Sequence, residues 1–235
     1  MKSGFIAAVF ATALTSVAYA DGIPQRHREP GCCAPFSWTG FYLGGHAGWG
    51  SQDIFLPPSP GQFGPPQPTG GFAGGQVGAN FQFARNWVVG AEVDHSRARI
   101  EDSLIGPDPL FPATLLADTV KLDALTTLRG RLGFAWDRTM VYATGGWAWS
   151  RVEATASTSN NFGLGPLIVT DRRTVDGWTV GGGVETALWS NWTSKIEYQF
   201  IHSDDFTPRT LSPGGGASVR FEVQTIRLGV NYLFH

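Results

Sequence analysis

The feature that most restricts the fold of this 235-residue chain is a parity. Beyond the first twenty residues no window holds the 18 or more apolar residues of a membrane helix, yet apolar and polar side chains alternate one by one in segment after segment. Phe41, Leu43, Gly45, Ala47 and Trp49 are apolar or small and stand against Tyr42, Gly44, His46 and Gly48. Ala73, Val77, Ala79, Phe81 and Phe83 oppose Gln76, Asn80 and Gln82, and Leu128, Leu132, Phe134 and Trp136 oppose Thr127, Arg129 and Arg131. Segments 87–94, 141–150, 178–188, 192–200 and 226–234 follow the same rule, which makes eight strands. A period of two puts one set of side chains on each face. Strands whose apolar face meets lipid must pair all their backbone groups, so they can cross a membrane only as a closed barrel.

A soluble sandwich alternates too, but its connections have no reason to sort strictly by length. Here the links at Arg85-Asn86, Asp137-Arg138-Thr139 and Ser190-Asn191 are tight, while 51–69, 102–119, 159–171 and 205–218 are long and rich in Gly, Pro, Ser or Asp. This pattern predicts an all-β fold: an eight-stranded antiparallel up-and-down transmembrane β-barrel with short periplasmic turns and long extracellular loops. Trp87, Trp136, Trp189 and Trp192 flank the tight turns, where an interfacial aromatic girdle belongs. Charged residues make up 15% of the chain, well under the roughly 25% of soluble domains, which favours the membrane reading.

The N-terminus fits this destination. Lys2, the apolar run Phe5–Leu14 and the small-residue site Ala18-Tyr19-Ala20 have the form of a secretory signal peptide over 1–20. A flexible periplasmic leader is expected over 21–37 and the barrel over 38–234. The leader carries the only cysteines, adjacent Cys32 and Cys33, which are too few and too close for a disulfide framework or a zinc site. No chemistry is assigned to them.

Eight strands enclose an interior just wide enough for side chains, whereas an open aqueous channel typically needs sixteen or more. The inward set contains the acids Glu92, Asp94, Glu185 and Glu197 and the bases Arg129, Arg131, Lys195 and Arg227, whose charges cancel. A lumen charge network is therefore expected, with arginine suited to it by its bidentate fork. Residue counts from the tight turns put Glu92, Arg131 and Glu197 in one layer, and Asp94 near Arg129 and Arg227.

Barrels can also be enzymes, but no catalytic or metal constellation stands out. His46 is the one inward histidine and lacks an assignable serine-plus-acid partner set, and no His, Cys, Asp and Glu cluster has ligand spacing. Neither a cofactor nor a metal is implied. With a net charge of −2 the chain lacks the basic excess of a nucleic-acid binder. Arg97, Arg99, Arg151, Arg172, Arg173 and Arg220 lie near the outer strand ends, where they could meet lipopolysaccharide phosphates or simply reach for the interface.

The opening SWTGFYLGGHAGWG at 37–50 and the terminal RLGVNYLF at 227–234 resemble the small outer-membrane β-barrel proteins of alphaproteobacteria, the porin-like or immunogenic surface proteins of Gram-negative envelopes. The resemblance runs over nearly all of the mature chain. It implies an outer-membrane location, surface loops and no known catalytic site. It also implies a terminal assembly signal, matched here by Tyr232 and Phe234 and read by the barrel-insertion machinery, with His235 one residue past the usual aromatic end. The expectation is a non-enzymatic structural barrel with a filled interior, in contact with outer-membrane lipids. A narrow porin is the alternative and a lipid-modifying enzyme a more distant one. Loop ligands and oligomeric state are not legible.

Overall fold

A computed structural model describes residues 36–55, 67–107, 115–158, 167–204 and 220–235. The segment assigned to a signal peptide, most of the leader including Cys32 and Cys33, and the middles of the four long connections lie outside them.

Eight strands form one closed antiparallel barrel in sequence order. They are β1 (Gly40–Phe55), β2 (Thr69–Phe83), β3 (Trp87–Pro107), β4 (Leu115–Trp136), β5 (Thr139–Thr158), β6 (Leu167–Ala187), β7 (Trp192–Ser203) and β8 (Arg220–Phe234). β1 pairs with β8 from Phe41↔Phe234 to Phe55↔Arg220, so no sheet edge is left across the membrane. Parity sets the faces: Phe41 is 70% exposed and its neighbour Tyr42 only 1%.

The three tight turns are each fastened to the next strand. Ala135 N–H donates to Asn86 O, Ala187 N–H to Arg138 O and Leu233 N–H to Asn191 O, all at 2.7 Å. Arg85 and Asp137 turn the chain with positive φ of 72° and 54°. Trp87, Trp136, Trp189 and Trp192 all project outward here, and Trp87 packs edge-on against Phe134 at 5.4 Å. A second outward set of aromatics, Trp49, Trp147 and Trp178, marks the far side of the lipid-facing band, with Trp147 and Trp178 directly paired across β5 and β6.

The strands run further than the sequence pattern indicated. A tilted crossing needs about 9–11 residues, which β7 meets with 12, but β3, β4, β5 and β6 have 21, 22, 20 and 21. Positions 51–55, 102–107, 115–119 and 167–171, read from sequence as loop, are strand. Thr119, Val120, Thr155, Val169 and Thr170 explain why, because β-branched residues keep a sheet going after the apolar alternation has ended. β4 also carries a bulge between Leu122 and Ala124. It lets both Leu122 and Leu125 turn inward, although they are three residues apart.

Candidate functional site

The lumen is filled in three layers. At the periplasmic mouth, chain that precedes β1 folds under the barrel. Trp38 is fully buried against Val88, Ala135, Met140 and Tyr142, with Phe36 packed edge-on to it at 4.9 Å. The Gln82 side chain accepts from Trp38 N–H at 2.9 Å, and Arg138 lies 6.0 Å over the Phe36 ring. His235, past the last strand, completes this cork: its Nδ1 lies 3.2 Å from Thr39 O and its ring 6.0 Å from that of Phe36.

The middle layer is ionic. Arg129 donates through Nη1 to Glu197 at 2.6 Å, through Nη2 to Asp94 at 3.0 Å, and also to Glu92. Lys195 Nζ donates to Glu92 Oε2 at 2.8 Å, and Arg227 lies 3.4 Å from Asp94 and 3.5 Å from Glu197. Arg131 donates to Glu185, which also accepts from Thr193 at 2.5 Å and Asn231 at 2.8 Å. All eight charged residues are buried.

The count that placed Arg131 level with Glu92 and Glu197 is off by one inward position. Across β3 and β4 the register sets Trp87 against Phe134, not against Trp136, so Glu92 faces Arg129. Closing a barrel requires such stagger, and two residues of it move the partner one step along the same face. Arg131 meets the central carboxylates through tyrosines instead. Its guanidinium lies 3.9 Å over the Tyr142 ring and 6.0 Å from that of Tyr42. Tyr42 OH donates to Glu92 and Tyr142 OH to Glu197, each at 2.8 Å.

These tyrosines, with Gln76, Thr127, Thr193 and Asn231, were not assigned to the network from sequence, although their inward parity was readable. Gly78 makes room for one of them, since a Cβ there would come within 2.4 Å of the Tyr42 ring and hydroxyl.

His46 holds Gln76 Oε1 through Nδ1 at 3.0 Å and Ser96 Oγ through Nε2 at 2.7 Å. The Ser96–His46 contact has the spacing of a nucleophile and base, but Gln76 stands where an acid would orient the imidazole. Ser96 is fully enclosed. His46 is buried with both ring nitrogens partnered, and the arrangement is that of a satisfied core histidine. Among the described residues no group of three His, Cys, Asp or Glu side chains could hold a metal ion.

Above the ions, Ile54, Phe72, Ile100, Leu122, Leu125, Val152, Val175, Ile201, Phe221 and Val223 form an apolar core inside the extracellular half. Phe72 joins the layers, with the Arg227 guanidinium 5.5 Å from its ring.

Comparison with known proteins places this architecture. The model for the outer membrane protein beta-barrel domain matches residues 7–234. The 31 kDa outer-membrane immunogenic protein of Brucella melitensis is 33% identical over the full length of both chains. The 22 kDa outer membrane protein of Rhizobium leguminosarum is 28% identical over 84% of this chain and 79% of its own. Among solved structures, Neisserial surface protein A overlays with a TM-score of 0.47 at 16% identity, covering 83% of this chain and 98% of that one. With the family model spanning all eight strands and a relative a third identical from end to end, the chain belongs to the outer membrane protein beta-barrel family and resides in the outer membrane.

Proposed function

We propose that this protein is a non-enzymatic structural element of the outer membrane, a filled barrel that supports envelope integrity and carries long loops on the cell surface. The observation that carries this reading is the three-layered lumen. An aromatic cork, a neutral ionic layer and an apolar core follow one another along the axis, and an ion crossing the barrel would have to displace all three. The eight-residue charge network acts as the lock between opposite walls. Enclosure of Ser96 and His46 supports the non-enzymatic part.

The test is single-channel recording of the purified, folded protein in planar bilayers, together with detergent and large-antibiotic sensitivity of cells lacking it. Silent bilayers and a sensitised envelope are expected. Steady unitary openings would overturn the filled-barrel reading in favour of a narrow porin, and unchanged envelope resistance would overturn the supporting role.

A further inference from the structure

The outer wall is not electrically uniform. On β3 the outward positions Trp87, Val89, Ala91 and Val93 give way to His95, Arg97 and Arg99, and on β5 Trp147 and Trp149 give way to Arg151. Ten residues separate Trp87 from Arg97, which at a rise of about 3.3 Å and a tilt of about 40° is ~25 Å, the height of an apolar barrel band. The arginines therefore begin where hydrocarbon ends.

Arg97, Ala124 and Arg151 are consecutive partners across β3, β4 and β5. The two arginines thus stand two strand spacings apart, about 10 Å, over an alanine floor, within reach of a common anion. Next to this floor is a depression of about 240 Å³ lined by His95, Ala124, Thr126, Trp149, Arg151 and Thr174. Thr126 holds His95 Nδ1 at 2.9 Å, which fixes the imidazole at its edge.

Among the described residues Arg97, Arg99 and Arg151 have no ion pair, while bordering acids are taken: Asp123 by Lys121 at 3.4 Å and Glu153 by Arg172 at 3.0 Å. Glu101 above Arg99 and Asp176 beside Trp149 complete the surroundings, and neither pairs with these arginines. At the same level β8 and β1 present Glu222, Gln224, Ser51 and Asp53, with Arg220 one outward position further along β8.

Below the patch, past the apolar row Val93, Leu128 and Trp147, the wall is hollow. Ala91, Gly130 and Gly145 are consecutive partners, and a Cβ at Gly130 or Gly145 would meet nothing nearer than 3.8 Å.

We propose that His95, Arg97, Arg99 and Arg151 form a binding site for the phosphate groups of an outer-leaflet glycolipid, whose acyl chains lie in the furrow of small residues beneath. Guanidinium forks suit phosphate, and three unpaired ones on the outer side of a lipid-facing wall that holds an apolar row and then a furrow fit an anion that carries hydrocarbon better than a free one. The site does not depend on whether the lumen conducts.

Native mass spectrometry of the detergent-folded protein, titrated with bisphosphorylated lipid A and with the same lipid A after phosphatase treatment, tests it on the unmodified chain. Preferential retention of the phosphorylated form is expected. Arg97→Gln with Arg151→Gln should weaken that retention roughly 25-fold, about fivefold per guanidinium, while Arg85→Gln, in a tight turn at the opposite end of the barrel, leaves it unchanged. Equal retention of the dephosphorylated lipid, or an unaffected double variant with normal heat-modifiable migration, would overturn the site. Displacement of the lipid by inorganic phosphate at equal concentration would overturn the lipid assignment.

Discussion

Arg129 on β4 reaches Glu197 on β7 at 2.6 Å, three strands away around the wall. The same guanidinium holds Asp94 and Glu92 on β3, so one side chain ties two distant parts of the cylinder. Removing it takes a cation from three buried carboxylates at once and leaves the layer with four acids against three bases. Arg129→Leu is expected to cost about 3–5 kcal/mol, because breaking a buried ion pair leaves an uncompensated charge. Arg131→Leu should cost less, since Glu185 keeps its bonds from Thr193 and Asn231. Urea unfolding of the detergent-folded barrel, followed by heat-modifiable migration, ranks the two; an unchanged midpoint for Arg129→Leu would show that the network does not stabilise the fold.

Trp38 provides the second prediction. It is fully buried although it precedes the first strand. Trp38→Ala is expected to destabilise the barrel by about 3–5 kcal/mol, the usual cost of emptying a large aromatic site. The variant should still be silent in planar bilayers, because the ionic and apolar layers above remain. Conductance appearing in Trp38→Ala alone would mean that the cork, and not the lumen, holds the barrel shut.

The chain end makes a third. Phe234 projects outward at 51% exposure and packs edge-on to Tyr232 at 4.9 Å, so its ring makes little contact with the barrel interior and its loss should act on assembly more than on packing. Phe234→Ala is expected to reduce outer-membrane levels several-fold in fractionated cells, with the precursor accumulating in the periplasm. His235→Ala should assemble normally and lose only stability, about 0.5–1.5 kcal/mol for one hydrogen bond, because its contacts are to Thr39 and Phe36. Normal membrane levels of Phe234→Ala would remove the terminal aromatic from the assembly signal.

Parity made the strands legible from sequence, because every residue of a crossing declares its face by whether it would tolerate lipid. The identity of the inward charges followed from the same rule. Their pairing did not, since Glu92 meets Arg129 only through the stagger that sets Trp87 against Phe134, and stagger belongs to barrel closure, not to any one strand. Trp38, the first residue of the expected barrel, was not recognised as a cork because a cork has no period. Leu122 and Leu125 point the same way through a bulge that alternation cannot anticipate. The contact between His46 and Ser96 joins residues 50 apart whose meeting depends on three strands lying side by side.

The neutral ionic layer has a consequence for the medium the cell lives in. Exposed ion pairs weaken as salt rises, but Arg129, Lys195 and their carboxylates are sealed between an apolar core and an aromatic cork, where mobile ions do not screen them. The barrel carries its counter-ions within itself. Its charge network is thereby uncoupled from the ionic strength outside, and the stability of the folded barrel should differ little between dilute and saline surroundings.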